Sequence, residues 1–166
     1  RHCHKNAPGT RSQYWHQDST NRRHHQIEQI KAFYYPQDVT EEMGPTAIVP
    51  GTHFRNAPSD RMASYGNFRH QVVTTVKAGT VVFVHNDIWH GATGNTSHKT
   101  RYMLKFNFRR GSAPTKPSWN HRSDDLDKVL EVFGVKVCDS AQSDHYKETT
   151  LRREMWNHLV GTLGAK

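Results

Sequence analysis

Three separated positions in this chain carry residue types that can share one metal ion or stand beside it: His16-Gln17-Asp18, His90 and Arg101. Two neutral imidazoles and one carboxylate can occupy one face of an Fe(II) ion and leave the opposite positions open. Asp18 lies two residues from His16, so on an extended strand both side chains fall on one face. Arg101 is no metal ligand. Its planar fork of donors matches a carboxylate in two parallel hydrogen bonds, so it can anchor an acidic molecule next to the metal.

A His-x-Asp pattern recurs by chance in a chain with 13 histidines, so its surroundings must decide. The apolar run 80–84 leads toward His90, Gly91-Ala92-Thr93-Gly94-Asn95 has turn composition, and Arg101 opens the run Tyr102-Met103-Leu104-Lys105-Phe106-Asn107-Phe108. These features predict a hairpin, with His90 leaving one strand and Arg101 entering the next. Residues 14–18 and 27–35 read as strands, the second stopped by Pro36, and 46–49 as a short buried strand. Residues 70–76 and 80–84 read as strands around Lys77-Ala78-Gly79. Residues 1–13 read as irregular, 19–25 as a polar loop on the metal side, 37–44 as an acidic turn, and 54–67 as a loop long enough to be a lid.

Past Arg110 the pattern changes. Residues 111–122 form a Gly/Pro/Ser-containing connection, then Ser123-Asp124-Asp125 opens a helix carrying Leu126, Val129, Leu130 and Phe133 at helical spacing. A second helix is expected over 149–163, with Leu151, Met155, Leu159 and Leu163 on one face. Strand alternation turns Arg101, Met103, Lys105 and Asn107 inward, and Tyr102, Leu104, Phe106 and Phe108 outward. That apolar outer face needs a cover, which the helices would supply. The expectation is a mainly β protein, a cupin-like jelly roll over 1–122, with a helical extension over 123–166 packed outside it.

On these residues the chain resembles the phytanoyl-CoA dioxygenase family. The resemblance runs from about Tyr14 to Arg110. It rests on His16-Gln17-Asp18, the segment Glu42-Met43-Gly44-Pro45-Thr46-Ala47-Ile48-Val49-Pro50-Gly51-Thr52-His53, Gly79-Thr80, and the eleven-residue step from His90 to Arg101. It implies a double-stranded β-helix with Fe(II) held by His16, Asp18 and His90. 2-Oxoglutarate would be the cosubstrate, its far carboxylate on Arg101 and a hydroxyl contact from Thr93 or Thr100. The implied reaction consumes O2, releases succinate and CO2, and hydroxylates a small organic substrate. Family members carry a longer N-terminal part than the fifteen residues before His16, so a piece of a longer protein is expected.

Neighbouring candidates are read more plainly. His85-Asn86-Asp87 repeats the His-x-Asp pattern, but it would put all ligands within a few residues of His90 with no distant strand closing the site, so Asp87 is assigned to turn chemistry and His85 to the vicinity of the pocket. His53 is a turn residue and His24-His25 a loop. His2-Cys3-His4 lacks the downstream glutamate of a cupin His-x-His site and is expected to be a disordered end. Trp15 and Trp89, each one position before a ligand, should point away into packing.

The net charge of +8 is spread over short scattered groups such as Arg22-Arg23 and Arg152-Arg153, which disfavours a nucleic-acid partner. A nucleic-acid demethylase of the oxygenase superfamily would typically carry a second arginine six residues past Arg101; Asn107 stands there. Halogenase variants replace the metal carboxylate, and Asp18 is present. With 34% hydrophobic residues and a mean hydropathy of −0.89, the chain shows no apolar run of membrane-spanning length. Cys3 and Cys138 do not form a disulfide framework, and a reducing cytoplasm would suit ferrous iron. A non-catalytic cupin-like binding protein is the alternative to the enzyme. Oligomeric state is not legible in the sequence.

Overall fold

A computed structural model describes residues 1–18, 29–54, 66–112, 150 and 153–157. Seven strands follow in order: β1 (His2–Asn6), β2 (Gln29–Tyr34), β3 (Thr46–Val49), β4 (Val72–Val73), β5 (Val81–His85), β6 (Trp89–Ala92) and β7 (Arg101–Arg109), with a 3-10 turn at Thr52–Phe54. All described pairings are antiparallel. They build a four-stranded sheet of order β1-β7-β2-β5 and a three-stranded sheet of order β4-β3-β6.

The main core draws on both sheets. Phe33, Ile48, Val84 and Met103 meet Tyr35, Val39, Met43 and Ile88 between them. Strand β3 is buried along its whole length. Its period-two alternation sends Ile48 into that core, while Ala47 and Val49 join Trp15 and Trp89 in a second cluster with Phe68 and Val73 packed against it. Both tryptophans thus turn away from the adjacent histidines, as expected.

The strands differ from the sequence reading in four places. First, β6 and β7 are not a hairpin: His90 lies in the three-stranded sheet and Arg101 in the four-stranded one. Both edges of β7 are taken by β1 and β2, so β6 has no place beside it. The connection crosses between sheets around Asn95, which is 1% exposed. Asn95 Nδ2 donates to Asn6 O at 2.8 Å and Lys99 O at 2.9 Å, and its Oδ1 accepts from Ser97 N and Oγ. Second, residues 2–6 form β1 rather than an irregular end. Their side chains carry no strand alternation, but the edge of β7 offers them a ladder from Asn6↔Arg101 to His2↔Lys105. Third, the strand expected over 14–18 contracts to one bridge between His16 and His90, and that over 70–76 to β4 plus a Val39–Val76 bridge. Fourth, Asn107 keeps the inward parity, opposite Lys31, but is solvent-exposed, because β7 outruns its β1 partner at that end. Arg101, Met103 and Lys105 are buried as expected.

The chain divides into two compact units, residues 1–21 with 29–109, and residues 22–28 with 110–166. Both sheets belong to the first. In the second, residues 153–157 are helical. The helix expected over 123–133, the 122/123 boundary, most of the helix over 149–163, Cys138, the loop 19–25 with His24-His25, and nearly all of the 54–67 loop lie outside the described residues. Cys3 is a free, exposed thiol. Among the described residues no helix is long and apolar enough to cross a membrane.

Candidate metal centre

His16 enters the site from the segment before β2, and its backbone is locked to β6. The His16 amide donates to His90 O and the His90 amide to His16 O, each at 3.0 Å. This reciprocal pair brings the two rings to a centroid separation of 4.4 Å. Gly91 leaves room for the passing chain, since a Cβ there would sit 3.3 Å from the carbonyl oxygens of Gln13 and Tyr14. Asp18 completes the group. His16 Nε2 lies 3.5 Å from Asp18 Oδ1 and His90 Nε2 lies 3.6 Å from Oδ2. Ligand atoms of the three residues all fall within 4.8 Å of one another.

The two imidazoles are oriented alike. His16 Nδ1 donates to Tyr14 O at 2.8 Å, and His90 Nδ1 donates to Ile88 O at 2.9 Å. A carbonyl only accepts, so each Nδ1 carries a proton and each Nε2 is the nitrogen left facing Asp18. That is the tautomer a metal requires. Burial depresses the His16 pKa, keeping the ring neutral. The His90 imidazole, with Lys105 and Lys31, holds the Asp18 carboxyl far below the usual carboxylate range against the opposing effect of burial. The donor set therefore fits a divalent cation.

The other His-x-Asp pattern does not join this group. The Asp87 amide donates to His85 Nδ1 at 3.1 Å, a local turn contact, and Gln17 Nε2 donates to Asp87 O at 2.7 Å. His85 packs against His53, with centroids 4.7 Å apart.

A cavity opens beside the centre, bordered by His16, His90, Phe33, Arg101, Lys105 and His4. Arg101 is 2% exposed. Its Nε and Nη2 both donate to Gly44 O, at 3.2 and 2.7 Å, which sets the guanidinium without neutralising it. Gly44 adopts φ +68°, and a Cβ there would stand 2.3 Å from Asn6 Nδ2 and 2.7 Å from Thr93 O. Only glycine lets that carbonyl approach the arginine. His4 faces the same cavity from β1, opposite Met103, and its buried Nε2 has no hydrogen-bond partner. An uncompensated guanidinium and an orphaned imidazole nitrogen in one cavity fit an acidic molecule. The structure does not bring Thr93 or Thr100 to this cavity. The Thr93 hydroxyl donates to Pro45 O at 2.9 Å, and Thr100 O accepts from Gln37 Nε2.

Lys31 and Lys105 were not among the sequence candidates. Lys31 Nζ donates to Asn86 O at 2.8 Å and pairs with Asp18 Oδ2, which Lys105 Nζ also approaches at 2.8 Å. One signal was available: Lys31 stands inside the apolar stretch Ile30-Lys31-Ala32-Phe33, on the inward parity of Phe33. His4 gave none, because only pairing with β7 turns it inward.

Two antiparallel sheets sharing one core, with two histidines and one carboxylate gathered between β6 and the segment before β2, form a cupin-like architecture with a candidate metal site. The profile of the phytanoyl-CoA dioxygenase family matches residues 2–103, and the chain belongs to that family. No curated protein matches it in sequence. Among solved structures it is similar to the non-heme alpha-ketoglutarate-dependent carbocyclase SnoK from nogalamycin biosynthesis, with 24% identity, a TM-score of 0.54, and coverage of 64% of this chain and 47% of that one. AviO1 from Streptomyces viridochromogenes Tue57 is 21% identical with a TM-score of 0.56, covering 69% of this chain and 51% of that one. EctD from S. alaskensis, solved with 2-oxoglutarate and 5-hydroxyectoine, is 20% identical with a TM-score of 0.52, covering 64% of this chain and 42% of that one. At these identities the likeness fixes the fold. The chain spans about half the length of these structures.

Proposed function

We propose that this chain carries the metal centre of an Fe(II)- and 2-oxoglutarate-dependent dioxygenase that hydroxylates a small organic molecule, with release of succinate and CO2. Family membership supports the reading, and one observation carries it: both imidazoles have Nδ1 committed to backbone carbonyls and Nε2 turned toward Asp18. His16, Asp18 and His90 would hold the iron, and Arg101 the far carboxylate of 2-oxoglutarate. When bound, iron and 2-oxoglutarate supply the activation of O2 for attack on an unactivated C–H bond.

The protein's own part is positional. The reciprocal His16–His90 backbone pair fixes ligand spacing, and the two carbonyls fix ring orientation. Gly44 O aims Arg101, and Phe33 supplies an apolar wall of the cavity. Thr93 and Thr100 remain candidates for cosubstrate contact only if the segment 93–100 moves toward the cavity on binding. The free, exposed Cys3 thiol is compatible with the cytoplasmic setting that ferrous iron favours. The scattered charge argues against nucleic acid as substrate.

Anaerobic Fe(II) loading followed by 2-oxoglutarate and then O2 tests the reading. The expected result is a visible charge-transfer band on 2-oxo acid binding and stoichiometric succinate on oxygenation. Metal binding without either would favour a non-catalytic cupin-like protein.

A further inference from the structure

We infer that the substrate of this site carries a carboxylate, which sits on Lys105 beside the metal position with the charge of Lys31 behind it; this rests on the oxygenase reading of the site. The two lysines come from neighbouring antiparallel strands. Lys105 pairs with Phe33, and Lys31 with Asn107, so Lys31 and Lys105 are diagonal neighbours on the inner face of the sheet. Their side chains are 1% and 11% exposed, and both ammoniums meet the same atom, Asp18 Oδ2.

Buried charges persist when they are paired. Here two ammoniums share one carboxylate oxygen, and Arg101, third in the group, rests on the neutral carbonyl of Gly44. A divalent ion at His16, Asp18 and His90 draws on the same carboxylate. A dicarboxylate cosubstrate offsets the charge of the ion but not that of the lysines. Among the described residues three buried cations then remain against Asp18, with Asp87 adding attraction at Lys31 from the turn after β5. The loaded pocket is short of negative charge on the side where Lys31 and Lys105 stand. Lys105 also borders the cavity, so its ammonium is within reach of an incoming molecule. A carboxylate on the substrate would meet the Lys105 ammonium in a charge-assisted hydrogen bond, with the enclosed Lys31 adding attraction from its place on Asp18 Oδ2, and would set which carbon faces the metal.

The test loads the protein with Mn(II), which is redox-inert under these conditions, and N-oxalylglycine, an unreactive cosubstrate analogue. Sodium formate, the smallest carboxylate, is then titrated in by calorimetry in buffer free of other small anions. Saturable formate binding with Kd of about 1 mM or tighter is expected in the loaded wild type. It should weaken at least about tenfold in Lys105→Met, the scale of one lost charge-assisted bond, and measurably but less in Lys31→Met. Mn(II) should bind both variants as tightly or more tightly, because one fewer ammonium competes for Asp18. The substitutions lie on different strands, so either variant suffices if the other does not fold. No saturable formate binding, or equal binding in wild type and variants, would overturn the inference; equal binding would place formate on the open face of the metal and leave the lysines as positioners of Asp18. Failure of the wild type to take up Mn(II) and N-oxalylglycine would instead overturn the oxygenase reading, an outcome visible before formate is added.

Discussion

His16 and His90 hold each other by their backbones: each amide donates to the other's carbonyl at 3.0 Å, and the rings stand 4.4 Å apart. The spacing of two proposed metal ligands 74 positions apart in sequence is thus set by main-chain geometry. Such preorganisation leaves the side chains only to present Nε2, which their Nδ1–carbonyl bonds already enforce.

Asp18→Ala removes the one anionic ligand of the group. Divalent-metal affinity should fall by more than the roughly 10–100-fold of an outer-sphere change, and succinate formation should stop. Asp87→Ala should leave metal affinity within about twofold of wild type, because Asp87 acts in the turn beside His85. Metal titration of the two variants checks this; the reverse pattern would move the site to the second His-x-Asp.

Arg101→Lys keeps a positive charge but loses the planar fork. The 2-oxoglutarate Kd should rise by roughly 10–100-fold, with metal affinity unchanged. His4→Phe preserves a ring in the cavity and removes the orphaned Nε2. It should weaken 2-oxoglutarate by about tenfold or less with metal affinity again unchanged. Equal constants for wild type and either variant, read from the charge-transfer band, would remove that residue from the cosubstrate site.

Gly44→Ala forces a Cβ against Asn6 Nδ2, Thr93 O and Asn95 N at a φ of +68°. A loss of about 2 kcal/mol or more in folding stability is expected, together with weaker 2-oxoglutarate binding, since Gly44 O is the acceptor that aims Arg101. Urea unfolding gives the first and titration of any folded fraction the second. A variant as stable as wild type would show that the Gly44 turn relaxes freely.

The pH dependence of stability follows from buried histidines. Burial depresses the pKa of His16, His85 and His4 below the ordinary 6.5. The unfolded chain therefore takes up protons as pH falls through about 6.5 while the folded chain does not, and stability declines in that window. Above it the three rings are neutral in both states and contribute no slope. Melting curves of the metal-free protein from pH 7.5 to 5.5 should show a falling midpoint, less steep in His85→Gln. A midpoint that rises toward pH 5.5 would contradict the sign.

His16, Asp18, His90 and Arg101 were legible in the sequence because their chemistry is local: two imidazoles, a carboxylate and a fork of donors retain their types and spacing whatever the chain around them does. The inward parity of Arg101, Met103 and Lys105 followed from the period-two pleat, and Trp15 and Trp89, one position before the histidines, turn away from them into the second core cluster. Which strands meet was not legible. β1 has no apolar alternation and exists because the edge of β7 needs a hydrogen-bonding partner. The expected hairpin between His90 and Arg101 gave way because β1 and β2 already occupy both edges of β7. Pairing depends on which edges remain open after the sheets form, a property of the whole fold rather than of any window of residues. The same tertiary step turned His4 into the cavity and brought Lys31 and Lys105 onto one oxygen of Asp18. Sequence determined the chemistry available at the centre; only the packing of two sheets decided the charge around it.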